Sequence, residues 1–204
     1  MEMPYDYVWA MNKGKFLERH YQKKRVNSIL SLAQFKDKKV LDVGCNTGIL
    51  TYLIEKQGAS CIGIDISKEN IKNALKYRPI KSKCRFFLMS CTKLDFKKEF
   101  FDVAVLGDVL EHLTNKERAE TLRELNRVVR RRGLILVSVP FKYQPVNRLD
   151  FLRQIATTRK VTRELIDNPF TKAELARLFE REGFKVKKIF YSCYFSNIMA
   201  VFEK

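Results

Sequence analysis

No stretch of this 204-residue chain approaches the roughly 20 consecutive apolar residues of a membrane-spanning helix. A helical membrane-embedded class is therefore excluded. The first residues offer Glu2, Tyr5, Asp6, Tyr7 and Trp9 instead of a basic region followed by an apolar stretch. We read no secretory signal there and expect a cytoplasmic protein. Cys-x-x-Cys is also absent, and the five cysteines form an odd set. Several fall in apolar runs where a thiol packs as a small hydrophobe, so a disulfide framework is not expected. Histidine is scarce, with only His20 and His112. Internal repeats and low-complexity tracts are missing.

Acids are in short supply, and that shapes the charge. Forty Lys and Arg against 23 Asp and Glu leave a net +17. The excess is uneven: +5 over residues 1–40, +2 over 41–112 and +10 over 113–204. RNA or another anionic surface is one partner consistent with this balance; a lysine-rich solvated surface is the other reading. A chain of this length is expected to be one domain that buries roughly 70% of its unfolded surface.

What is present alternates between strand and helix signals. Residues 14–33 have apolar positions at helical spacing. Val40–Val43 is an apolar strand, and a helix follows from Thr47 to Gln57, with Gly58 as its stop. Cys61–Ile64 is a second strand. Ser67 can cap a helix that ends before Arg78-Pro79. Arg85–Met89 and Phe101–Leu106 are further strands. Thr114-x-x-Glu117 has capping-box spacing and opens a helix through Val129, closed by Arg130–Gly133. Leu134–Val139 is a fifth strand. A second capping box, Thr171-x-x-Glu174, opens a last helix that Gly183 stops. Lys185–Tyr191 and Asn197–Phe202 are two final strands. The five residues between them are too few for a crossover helix, so these two should be antiparallel. The fold class is α/β, with a mostly parallel Rossmann-like sheet covered on both faces. Residues 1–36 form a helical cover, 37–140 a cofactor-binding core, 141–169 a basic substrate lid, and 170–204 the terminal helix and strand pair.

The chemistry concentrates at the ends of the first two strands. Val40-Leu41-Asp42-Val43-Gly44-Cys45-Asn46-Thr47-Gly48 runs from a strand into a glycine turn, and Asp65 closes the second strand. Gly44 and Gly48 bracket a turn where backbone must approach a ligand. The amides of this turn and of the next helix are expected to face outward, toward a carboxylate or phosphate. Asp65 can accept both hydrogen bonds of a ribose diol. Asp42, an acid in an apolar strand, requires a partner. A dinucleotide fingerprint, G-x-G-x-x-G, is lacking: Asn46 and Ile49 stand where its second and third glycines belong. This argues against NAD and FAD and suits a cofactor without a pyrophosphate, such as S-adenosyl-L-methionine.

These runs, with Phe101-Asp102-Val103-Ala104-Val105-Leu106-Gly107-Asp108-Val109-Leu110-Glu111-His112-Leu113 and Val128-Val129 before Gly133-Leu134, resemble the Rossmann-like S-adenosylmethionine-dependent methyltransferases. The resemblance implies a seven-stranded sheet whose last strand is antiparallel. It implies that Asp42, Gly44, Cys45, Asn46 and Gly48 wall the methionine side. Asp65 would hold the ribose, and Ile66 would flank the adenine. Ser90 and Cys91 stand where relatives carry an adenine-binding acid, and Gly107, Asp108 and Val109 would line the methyl side. The run Trp9-x4-Gly14-x-Phe16-x3-His20 is similar to the ubiquinone-pathway O-methyltransferases. Asp108 and His112 are candidate bases. Asp108, Glu111 and His112 together are a weaker candidate metal set. The expected acceptor is a small or lipid-like molecule methylated at oxygen or nitrogen. An RNA or protein substrate held by the basic lid, and a cofactor-binding scaffold without catalysis, are the alternatives.

Overall fold

A computed structural model describes residues 16–143, 168–193 and 195–204, without the side chains of 16–19 and 21. The run Trp9 to Gly14 and most of the 141–169 segment lie outside the described residues. Five helices and seven strands appear in the described chain, in the order α1 Phe16–Leu30, β1 Lys39–Val43, α2 Ile49–Glu55, β2 Ser60–Asp65, α3 Lys68–Lys76, β3 Arg85–Leu88, β4 Phe101–Gly107, a 3-10 turn Leu110–His112, α4 Asn115–Val128, β5 Val129–Pro140, α5 Lys172–Arg181, β6 Lys185–Ser192 and β7 Asn197–Glu203.

The strands form one sheet in the order β3-β2-β1-β4-β5-β7-β6. The β3-β2-β1-β4-β5 pairings are parallel, and β7 is antiparallel to both its neighbours. Both faces of β1, β2, β4 and β7 are buried, which explains why these strands read as continuous apolar runs, whereas the end strands β3 and β6 are partly exposed. Along β1, Val40 packs with Ile29, Phe35, Tyr52 and Ile54 on one face. Leu41 and Val43 pack with Leu122, Leu125 and Phe179 on the other. Asp42 therefore falls on the face covered by α1 and α2, because side chains alternate.

Local signals set the helix ends. Ser67 accepts from the Asn70 amide at the start of α3. Thr114 and Thr171 each form a reciprocal capping box with Glu117 and Glu174. One boundary differs from expectation. The segment 129–133 does not extend or merely close α4: Val129 already pairs with Phe101, and the strand is continuous to Pro140. The β-branched Val128-Val129 pair favours the pleated conformation there. Gly133 is required because a Cβ would lie 2.4 Å from Val129 Cγ1.

Candidate functional site

The carboxyl ends of β1, β2 and β4 converge on a crevice of about 300 Å³. Asp65, Ile66, Ser90, Cys91, Asp108 and His112 are among its walls. A narrow second pocket beneath α1 is lined by Arg25, Asp42, Cys45 and Thr47, and shares Gly44, Asn46 and Gly107 with the first. Of the candidates read from sequence, Gly48 and Glu111 line neither pocket.

The turn between β1 and α2 is built from left-handed backbone at Gly44, Asn46 and Gly48, with φ of 66°, 49° and 80°. A Cβ on Gly44 would stand 2.6 Å from Val109 Cγ2. At Gly48 it would stand 2.8 Å from the Phe86 ring. Glycine keeps the turn pressed against both. The amides behave differently from expectation. Cys45 N–H donates to the Ile64 carbonyl, Gly48 N–H to the Cys45 carbonyl, and Asn46 N–H to Asp65. These three donors tie the turn to itself and to β2, while the first amides of α2 have no side-chain cap.

Asp65 is nearly buried and accepts three hydrogen bonds: from Asn46 N–H at 2.9 Å, Ser67 N–H at 2.8 Å and the Asn70 side-chain amide at 3.2 Å. A carboxylate has about four acceptor positions, so the bonds orient it across the crevice while leaving capacity for another donor. Ile66, next along, is 79% exposed, an unusual state for an isoleucine and a flat apolar wall for the crevice. Asp42 is 2% exposed and accepts from Thr51 Oγ1 at 2.6 Å. Burial, with the nearby Asp65 charge adding to it, pushes its pKa up to about 7. Burial also pushes the Cys45 thiol up, so it stays neutral.

Past β4, Asp108 holds a left-handed φ of 57°, a strained backbone that its surroundings enforce. Its N–H donates to the Ser138 carbonyl at 2.9 Å. Its carboxylate accepts from Ser138 Oγ at 2.8 Å and the Asn197 side chain at 3.4 Å, and it pairs with Arg25 of α1. The carboxylate is thus tied to α1, β5 and β7 at once. Glu111 is 2% exposed, with an Oε2 that no hydrogen bond satisfies among the described residues. Burial pushes its pKa up to about 7 against the pull of Arg25 and Arg118. His112 is exposed at the mouth of the crevice. Asp108, Glu111 and His112 are thus in three different environments. No three His, Cys, Asp or Glu among the described residues gather as a metal-holding group.

Sequence reasoning missed Arg25, Met89, Thr92 and Leu113 as wall residues, and read Glu117 only as a cap. Arg25 had one available signal: a charge beside the apolar positions Val26 and Ile29 of α1. All three are buried.

A glycine turn, a strand-end carboxylate and a crevice across the sheet's carboxyl edge define a Rossmann-like nucleoside-binding fold. A family described as a methyltransferase domain matches residues 16–189. The chain belongs to that family, whose cofactor is S-adenosylmethionine. It is 40% identical over 85 residues to the mitochondrial ubiquinone biosynthesis O-methyltransferase of Bos taurus, covering 39% of this chain and 23% of that one. It is 32% identical over 117 residues to the ubiquinone biosynthesis O-methyltransferase of Pseudomonas aeruginosa, covering 56% and 49%. The chain thus spans half or less of the length of these relatives. The magnesium protoporphyrin IX methyltransferase of Synechocystis, solved with bound S-adenosylhomocysteine, superposes with a TM-score of 0.75 at 15% identity, covering 97% of this chain and 91% of that one. No described helix is long and apolar enough to cross a membrane.

Proposed function

We propose that this chain transfers the methyl group of S-adenosylmethionine to an oxygen or nitrogen of a small or lipid-like acceptor. The observation that carries the reading is Asp65, oriented across the crevice by three donors and followed by the exposed Ile66. Asp65, with one acceptor position left, takes a ribose hydroxyl, and Ile66 covers one adenine face. Ser90 and Cys91 border the adenine edge. Arg25, in the narrow pocket, faces the amino-acid tail together with Gly44, Cys45 and Asn46.

The cofactor supplies an electrophilic methyl group. The protein's part is placement of the acceptor, worth several orders of magnitude in rate when the reacting atoms are aligned. Gly107 and Val109 border the methyl side, and Asp108 fixes that wall through Arg25, Ser138 and Asn197. His112 is the group placed to take a proton from the acceptor at the crevice mouth. The segment 141–169, expected as a lid, belongs to the same proposal, as does its single-domain arrangement with the core. Five free thiols, four of them buried, suit a reducing compartment such as the cytoplasm.

The test is turnover. The protein is incubated with S-adenosylmethionine and a panel of phenolic, catecholic and amine acceptors, and S-adenosylhomocysteine release is measured. Acceptor-dependent release supports the reading. Tight cofactor binding without release from any acceptor class, RNA and peptides included, would favour the non-catalytic scaffold.

A further inference from the structure

The net charge of +17 is segregated by the fold. The segments that lead into the strands, 36–39, 76–85, 97–102, 130–132 and 182–187, carry fifteen Lys and Arg against four acids. The segments at the cofactor edge, 44–48, 65–70, 89–95, 107–118, 140–143 and 168–174, carry six against seven. Most of the described excess, +11 of a net +15, therefore lines the sheet edge opposite the crevice. Three of the four acids there are already engaged. Asp102 pairs with Arg130, Glu99 with Lys204 and Glu182 with Arg123. Lys81, Lys83, Lys97, Lys98, Arg131 and Arg132 are exposed and form no ion pair with a described residue.

We propose that this edge is a sequence-independent docking surface for single-stranded RNA, separate from the cofactor crevice. Neighbouring strands lie about 4.8 Å apart, so the seven-stranded edge spans roughly 29 Å, long enough for several consecutive phosphates. Lys98 and Arg131 also face a cavity of about 420 Å³ whose wall holds Arg123, Arg127 and Lys204 against Glu99 and Glu182. Bases outnumber acids in this wall, and the exposed Arg131 guanidinium, which forms no ion pair with a described residue, can match phosphate oxygens two at a time. Tyr77, about half exposed in the 76–85 segment at the β3 end of the edge, gives a base a ring to stack on. A flat anionic bilayer fits less well. Membrane docking needs a contiguous apolar face, and the only large aliphatic tip in the 76–85 loop is Ile80.

The experiment is fluorescence anisotropy of a labelled 20-nucleotide single-stranded RNA with the full chain at 50 and 200 mM salt. Neutralising about five phosphates predicts a roughly hundredfold loss of affinity across that range. The variant Lys97→Gln/Lys98→Gln/Arg131→Gln/Arg132→Gln is expected to bind RNA at least tenfold more weakly at 50 mM salt. Its loss between the two salts should shrink to about tenfold or less, with S-adenosylhomocysteine affinity unchanged. Lys81→Gln/Lys83→Gln, at the other side of the edge, repeats the test should the fourfold variant fail to fold. Absence of RNA binding by the unmodified protein would overturn the proposal. Undiminished binding by well-folded variants would do the same, as would binding to phosphatidylglycerol vesicles without binding to RNA. Cofactor binding is read separately, so failure of the methyltransferase reading would show there and leave this result distinct.

Discussion

Replacing Arg25 by methionine is expected to cost about 3 kcal/mol of stability. Arg25 is 6% exposed and stands against Asp108, whose side chain is 16% exposed. Removing one member of a buried pair leaves the other charge uncompensated, at about 3–5 kcal/mol. Ser138 and Asn197 still donate to Asp108, which places the cost at the lower end. For a chain of this size about 3 kcal/mol lowers the melting temperature by roughly 6–12 °C. The assay is thermal and urea unfolding of the single variant, Asp108→Asn, and the double variant Arg25→Met/Asp108→Asn. The double variant should recover at least about 1 kcal/mol relative to the sum of the singles, because the Asp108 charge is removed together with its partner. A single-variant loss below about 1 kcal/mol, or strict additivity, would refute the view that this pair clamps α1 onto the crevice.

The elevated pKa of Asp42 links stability to pH. An acid whose folded pKa lies above its unfolded value binds more protons in the native state, so its contribution falls as pH rises from about 4 to 7 and levels off above that. Asp42→Asn should therefore be relatively more stable than the unmodified chain at pH 8 than at pH 5, by up to a few kcal/mol in urea unfolding; parallel curves would contradict the assignment. Gly44→Ala should lose roughly 2–4 kcal/mol, from left-handed strain plus the contact with Val109, and a Tm within 1 °C of the parent would show that the turn is not so tightly packed. His112→Ala should leave S-adenosylhomocysteine affinity within about twofold while slowing methyl transfer to a protonated acceptor by roughly a hundredfold; a large loss of cofactor affinity instead would place His112 in the cofactor site.

The strands, the capping boxes and the Gly44–Gly48 turn were legible because each rests on residues close in sequence. A buried strand is an apolar run, a cap is a hydroxyl three residues before a carboxylate, and Asp65 follows directly from its strand. The antiparallel β6–β7 pair was legible from loop length alone. What was not legible depends on partners distant in sequence. The turn amides of Cys45, Asn46 and Gly48 were expected to face a ligand, yet β2 and the turn itself supply their acceptors. Asp108 as a base could not be judged without knowing that α1, β5 and β7 bring Arg25, Ser138 and Asn197 to it. The start of β5 was misplaced because the pairing of Val129 with Phe101 is invisible in local propensity. The charge excess was countable in the sequence, but its concentration along one sheet edge follows only from the topology.

The central claim is that the ribose of S-adenosylmethionine is held by Asp65 at the tip of β2. Calorimetric titration of S-adenosylhomocysteine into the unmodified protein and Asp65→Ala tests it most directly. The account predicts one site per chain, with an affinity loss of about a hundredfold or more in the variant, since hydrogen bonds to a charged acceptor contribute about 1.5–3 kcal/mol each. Equal affinity in the two proteins, with the variant shown to be folded, would contradict it.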